Sequence, residues 1–246
     1  GKHTYKEGYL IGLLIGDGTL KTDKAVLSVW DTPQLPNLMP VSGSQSVMQF
    51  AYESAVSMPH RSDFAGWMSI PSRNEHRMVL GYVKSLAHEL GLFPGRKTIT
   101  PQVEGTSSDF YRGFLRGLFD ADGSVQGYEG SRTAIRLAQS NLALLEAVQR
   151  MLLRLGIFSH IYKNRRKAGK KLLPDGKGGY KEYSIKDQHE LSITKDNIEL
   201  FNELIGFANS EKSAKLNEKI KSHSDRGFYK QQFVARIQSL NFEAKK

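Results

Sequence analysis

The tightest constraint on the fold is a segment that occurs twice. The first copy reads Gly8-Tyr9-Leu10-Ile11-Gly12-Leu13-Leu14-Ile15-Gly16-Asp17-Gly18. The second reads Gly113-Phe114-Leu115-Arg116-Gly117-Leu118-Phe119-Asp120-Ala121-Asp122-Gly123. Both follow Gly-aromatic-Leu-x-Gly-Leu-x-x-small-Asp-Gly at one constant offset, which marks a duplicated half rather than a solenoid. Gly8, Gly12 and Gly16, like Gly113, Gly117 and Ala121, recur every fourth residue and form one stripe without bulk on a helix. Glycine inside a helix costs ~1 kcal/mol relative to alanine. Three on one face therefore imply close approach by another backbone, as small-xxx-small faces allow. The flanking Leu10, Leu13 and Leu14 (Leu115, Leu118 and Phe119 in the second copy) are left to bury each half's core.

If the two stripes pack on each other, the helix C-termini end side by side and Asp17 meets Asp122. A helix C-terminus carries partial negative charge and disfavours a carboxylate. Two such ends need a cation, and paired carboxylates suit Mg²⁺ or a similar hard ion. A lone Asp-Gly is ordinary turn punctuation; its recurrence at the ends of two matched, glycine-striped helices points to a site.

These segments resemble the two motifs of the LAGLIDADG homing endonucleases, in the form that carries both motifs on one chain. Leu115 to Gly123, Leu-Arg-Gly-Leu-Phe-Asp-Ala-Asp-Gly, is close to the family name, and Leu10 to Gly18 is a looser variant. The resemblance implies an α+β fold of two pseudo-symmetric αββαββα halves packed through their motif helices. Antiparallel sheets would then form a saddle on the major groove of double-stranded DNA. It also implies that Asp17 and Asp122 are catalytic, metal-binding acids, with Gly16 and Ala121 beside them in the metal site. Mg²⁺ is the expected cofactor, or Mn²⁺ or Ca²⁺ in a trapped complex.

Composition agrees with a polyanionic partner. The 246 residues carry a formal net charge of +10, although basic charge alone does not establish nucleic-acid binding. The absence of cysteine excludes disulfides, zinc-thiolate sites and thiol nucleophiles. No apolar run reaches the ~18 residues of a membrane span. The first residues, Gly1-Lys2-His3-Thr4-Tyr5-Lys6, have no signal-peptide profile, so an intracellular monomer is expected.

Patterning divides the chain into halves 1–104 and 105–246. In the first, a helix over 5–15 precedes a hairpin over 18–30. The proline-bearing segment 31–46 has no clear pattern, strands are expected over 46–57 and 64–70, and an amphipathic helix over 73–90. On this reading the first half nearly lacks its second helix. In the second half the expected elements are a helix over 109–120, strands 124–128 and 132–139, and a helix over 142–155 capped by Asn141. A strand 158–164, a basic Gly-rich loop 165–181, a strand 183–193 and a helix 196–205 follow. One or two C-terminal helices should pack Phe228, Phe233, Ile237 and Leu240 on the body.

Alternation in the strand ending at Gln139 turns Ile135 and Leu137 toward the helices, and Arg132 and Arg136 outward. Gln126 and Tyr128 are candidates on the neighbouring strand. Lys163, Arg165, Arg166, Lys167, Lys170 and Lys171 form the densest basic cluster, suited to phosphate contact. Lys21, Lys24, Gln49 and Tyr52 are the first-half equivalents. The family pattern further matches Gln139 and Lys195 to catalytic positions. The first half has Trp30 or Asp31 at the Gln position and Ser72 at the Lys position, with Arg73 as a substitute, so equal cutting of the two strands is in doubt. The expected activity is metal-dependent, sequence-specific hydrolysis of both strands at a long site, with an intron or intein as host. A non-cleaving binder, either an intron RNA maturase or a DNA-binding regulator of the same fold, is the alternative.

Overall fold

A computed structural model describes residues 2–30, 42–127, 133–174 and 179–224. The first half begins with α1 (Tyr5–Gly16), started by a capping box in which Thr4 and Glu7 each cap the other's backbone N–H. Strands β1 (Thr19–Leu20) and β2 (Ala25–Trp30) form the expected hairpin. The next element, α2 (Gly43–Val56), is a helix and not the strand expected over 46–57. Ser42 and Gln45 form a second capping box, and Val47, Ala51 and Ala55 fall four apart on the face that enters the core. Segment 31–41 lies outside the described residues.

Strand β3 (Trp67–Ile70) leads through a single 3₁₀ turn, Pro71–Arg73, to β4 (Glu75–Val79) and α3 (Gly81–Glu89). The helix expected over 73–90 is thus split. Asn74, with φ 48°, reverses the chain into β4, and Met78 pairs with Leu27 in the sheet while its side chain is fully buried. A short helix, α4 (Pro101–Glu104), links the halves.

The second half repeats the plan: α5 (Ser108–Asp122), β5 (Gly123–Gln126), β6 (Ala134–Gln139), α6 (Leu142–Arg154), β7 (His160–Arg166), β8 (Gly169–Pro174), β9 (Tyr180–Ile185), β10 (Gln188–Thr194), α7 (Asn197–Leu204) and α8 (Ser210–Ser224). Its main sheet, ordered β5-β6-β10-β7, matches the first half's β1-β2-β4-β3. The expected basic loop 165–181 is instead the antiparallel ribbon β8–β9, inserted between β7 and β10. Tyr128 and Arg132, and the apolar residues expected to pack beyond α8, lie outside the described residues.

Helices α1 and α5 form the centre. A Cβ added to Gly8 or Gly12 would strike the backbone of α5 at Phe110–Phe114 or Phe114–Leu118, and one added to Gly113 or Gly117 would strike the backbone of α1 at Tyr5–Tyr9 or Tyr9–Leu13. The two stripes therefore pack on each other as the repeat implies. Tyr9, Leu10, Ile11, Leu14, Phe110, Phe114 and Phe119 fill the flanks with no exposed surface. Burying each such side chain contributes ~2 kcal/mol.

Gly117→Val should destabilise the protein by about 3 kcal/mol or more, because the neighbour it strikes is backbone and cannot rotate away. Gly81→Ala, which has nothing within 4 Å of the added carbon, should be close to neutral. Urea midpoints of the two variants check this, and similar midpoints would contradict close backbone packing.

Candidate active site

Asp17 caps the C-terminus of α1, and its N–H donates to the Leu13 carbonyl at 3.0 Å. Asp122 is the last residue of α5. The helix ends meet: a Cβ on Gly16 would collide with that of Ala121 and lie 3.4 Å from Asp122 Oδ2. Burial, reinforced by the Asp122 charge, pushes the Asp17 carboxyl up to about 6, against the pull of Lys212 and Lys97. Burial also raises Asp122, opposed by a hydrogen bond from Gln139 and by the same two lysines.

Those lysines were not among the expected site residues. Lys97, between α3 and α4, donates from Nζ to the carbonyls of Leu14 (3.1 Å), Ile15 (3.3 Å) and Gly18 at the end of α1. Lys212, in the first turn of α8, does the same for α5 through Phe119 (3.1 Å) and Asp120 (2.6 Å). Each satisfies carbonyls that a helix end leaves open and brings positive charge to its negative pole. Burial lowers both lysine pKa values, and the aspartates oppose that shift. The offset relating the two motifs would put the partner of Lys97 at Asn202, so the repeat gives no direct signal for Lys212.

Lys195 is the lysine that the family pattern matches to a catalytic position. It lies exposed at the turn before α7 with φ 58°, while Lys212 bears on Asp122. Ser72 and Arg73 belong to the exposed turn at the tip of the β3–β4 hairpin, and the first-half lysine is Lys97.

Gln139 is where the motif places it, with Nε2 donating to Asp122 Oδ2 at 2.6 Å. Register identifies its counterpart. Thr19 pairs with Val26, as the matching Ser124 pairs with Arg136, so the residue equivalent to Gln139 is the buried Val29. The expected Trp30 lies one step beyond on the other face, and Asp31 is outside the described residues. The lysines are matched between halves; the glutamine is not.

Asp120, absent as an acid from the first motif, is nearly buried. Its carboxylate accepts from Tyr9 Oη (3.0 Å) and from the N–H groups of Ala208 (3.1 Å) and Asn209 (3.0 Å). It thereby ties α1 to the turn from which Lys212 projects.

The donor set fits a hard divalent ion. Burial pushes both half-buried carboxylates upward, and the Asp122 charge adds to the rise at Asp17, the condition that an intervening cation relieves. Among the described residues, no group of three or more His, Cys, Asp or Glu side chains gathers around a metal position. An ion here would therefore complete its shell with backbone carbonyls such as those of Gly16 and Ala121, with water or with phosphate oxygens, as Mg²⁺ does.

The expected DNA contacts divide by face. Arg136 and Gln126 lie opposite the core-facing Ile135 and Val125. Arg165 Cζ sits 5.2 Å from the Tyr162 ring. Arg166, Lys167, Lys170 and Lys171 follow along β7 and β8, all exposed, with Lys170 paired to Glu182 at 3.0 Å. Lys163 turns toward α6, where it meets Glu146 at 3.9 Å. Lys21 and Lys24 flank the β1–β2 turn. Gln49 and Tyr52 lie on α2, bound to Glu53 and stacked on Phe64 respectively, so strand alternation does not reach them.

Because folding raises the Asp17 carboxyl from its ordinary value of 3.8 to about 6, stability is lost as pH rises from about 4 through about 6. In cation-free buffer at pH 7.5, Asp17→Asn should be more stable than wild type by on the order of 2 kcal/mol. The difference should vanish below about pH 4. Thermal melts across this range check it, and a gap independent of pH would refute the strained carboxylate.

A family profile described as a LAGLIDADG-like domain matches residues 109–206. The chain is 26% identical over 205 residues to the ribonucleoside-diphosphate reductase NrdEB subunit alpha of Bacillus subtilis (strain 168), which aligns 80% of this chain with 18% of that protein. It is 24% identical over 158 residues to the DNA-directed RNA polymerase subunit Rpo1C of Methanocaldococcus jannaschii, with 64% of this chain and 17% of that one aligned. The chain thus spans less than a fifth of these curated relatives. Among solved structures, the homing endonuclease I-DmoI in complex with DNA and Ca matches at a TM-score of 0.47 and 18% identity, covering 87% of this chain and 97% of that chain. Full-length DUF199/WhiA from Thermatoga maritima matches at 0.49 and 14%, covering 96% and 64%. Residues 109–206 match the LAGLIDADG-like domain, and the motif they carry on α5 recurs on α1.

Proposed function

We propose that this protein is a divalent-cation-dependent DNA endonuclease that hydrolyses both strands of a long, asymmetric duplex site. The observation that carries this reading is the meeting of Asp17 and Asp122 at two helix ends, each flanked by a half-buried lysine. When bound, Mg²⁺ or a similar ion would supply Lewis-acid stabilisation of the phosphate and a more acidic water. Asp17 and Asp122 would hold the ion. Lys97 and Lys212 offset negative charge that grows on a phosphate at the helix ends. Gln139 orients the Asp122 carboxylate through its hydrogen bond. With Val29 in the equivalent place, Asp17 lacks that constraint, so the two strands are cut at different rates.

The solvent faces of the two sheets are the DNA-binding surface. A two-stranded ribbon fits the major groove, and β8–β9 adds one on the second-half side, with Lys171, Lys181 and Tyr183 sharing one face. The aligned segments form small parts of a reductase subunit and a polymerase subunit, whose reactions have nothing in common. That supports a mobile insert, carried by hosts it does not serve, over a part of either enzyme's machinery.

Incubation with a randomised plasmid library and Mg²⁺ should yield one discrete cleaved sequence. Asp17→Asn and Asp122→Asn should abolish cleavage and keep binding, and Lys97→Met or Lys212→Met should slow it about 100-fold. Gln139→Ala should slow one strand more than the other, so that nicked plasmid accumulates. A wild-type protein that selects a sequence but never cuts it would instead identify a non-cleaving binder.

A further inference from the structure

The solvent face of each sheet carries an acid where a DNA-binding surface should avoid one. In the first half, Glu75 is 4% exposed and accepts from Arg77 at both oxygens, 2.7 Å from Nε and 2.8 Å from Nη2. In the second half, the Glu190 side chain is 10% exposed, and its Oε1 lies 3.6 Å from Arg136 Nη1 and 3.6 Å from Arg165 Nε. The halves do not reach this by copying the same residues. Hairpin register makes Arg77, opposite Ser28, equivalent to Glu190, opposite Ala138, so the position of the second-half acid holds a base in the first half.

A carboxylate here repels the phosphates that supply most of the affinity for any duplex. Only an effect on something other than affinity accounts for it. Arginine side chains carry ~2 kcal/mol of rotamer entropy, which is lost when they are fixed against a base edge. Glu190 fixes two of them beforehand. Arg165 is held between Glu190 and the Tyr162 ring. Arg136 is half-buried beside Ser192, and its Nε has no hydrogen-bond partner among the described residues. Neither pairing is at hydrogen-bond distance, so both guanidinium forks keep donors for a ligand. A fixed arginine fork matches the O6 and N7 acceptors of guanine in the major groove.

We propose that Glu190 is a positioning residue that trades duplex affinity for specificity. It aims Arg136 and Arg165 at base edges, so that guanine is read on the second-half side of the target. The inference rests on the reading of this face as the DNA surface.

The test measures binding alone and needs no cleavage. Wild type, Glu190→Gln, Arg136→Gln and Arg165→Gln, each checked by thermal melting, are equilibrated with a pool of randomised duplexes for selection. Each is also titrated against one fixed random-sequence duplex across a salt series. Glu190→Gln should bind the fixed duplex at least as tightly as wild type, with a salt slope steeper by about one as the released arginines turn to phosphates. Its guanine preference at one or two positions on one side should fall about tenfold or more. Each arginine variant should lose guanine preference at its own position. Unchanged preference in Glu190→Gln, or weaker binding to the fixed duplex, would overturn the proposal, since an acid that only repels phosphates would tighten binding on removal and leave the guanine preference as it was. A wild-type protein that binds neither DNA removes the DNA reading itself, a different result from bound DNA with unaltered preference.

Discussion

The structure depends on the contact of α1 and α5 backbone to backbone. Gly8, Gly12, Gly113 and Gly117 admit no Cβ, and that absence sets where everything else lies. It brings the helix C-termini together and presses Gly16 against Ala121. It also fixes the spacing between two sheets that share one strand order. A helix interior that gives up ~1 kcal/mol per glycine recovers it through the fully buried Tyr9, Phe110, Phe114 and Phe119 packed along the same pair. The duplication thus makes one core with a pseudo-twofold axis.

What stands on that axis is electrostatically unfavourable by itself. Two carboxylates sit at the negative ends of two helices, half-buried and facing each other. The protein answers with Lys97 and Lys212, each reaching the open carbonyls of one helix, and with Asp120, which ties the Lys212 turn to α1 through Tyr9. These groups oppose the shift without removing it, since burial keeps both acids shifted upward and the Asp122 charge adds to it at Asp17. The remaining imbalance is the structural reason for expecting a cation. Gln139 on one side and Val29 on the other then make the two acids inequivalent within a symmetric frame.

The motif helices and the meeting of the two aspartates were legible in the sequence because each depends on spacing within an exact-offset repeat, whereas the place of Gln139 came from the family resemblance. Residues 46–57 misled because Val47-Met48-Gln49-Phe50-Ala51-Tyr52 mixes apolar and polar residues in a way that suits a strand. The better signal was Ser42 with Gln45, a capping box that starts a helix. Met78 and Val79 fell by chance in phase with the apolar face of α3, and the left-handed Asn74 that turns the chain into β4 has no strong sequence mark. The basic segment after Lys163 was correctly read as positive but not as a ribbon, since β8 and β9 gain their order from pairing with each other rather than from a buried face. The lysines were hidden for a simpler reason. Lys97 and Lys212 are brought to the site through space, along stretches whose lengths differ between halves, and the offset that relates the motifs does not relate them.

The central claim is that two helix ends form one cation site, and paramagnetic relaxation tests it most directly. Sub-stoichiometric Mn²⁺ added to the isotope-labelled protein should broaden the amide resonances of Gly16–Gly18 and Ala121–Gly123 together, in equal proportion as Mn²⁺ is added. Asp17→Asn combined with Asp122→Asn should abolish the effect at both. Broadening confined to one helix end, or surviving the double substitution, would contradict a shared site.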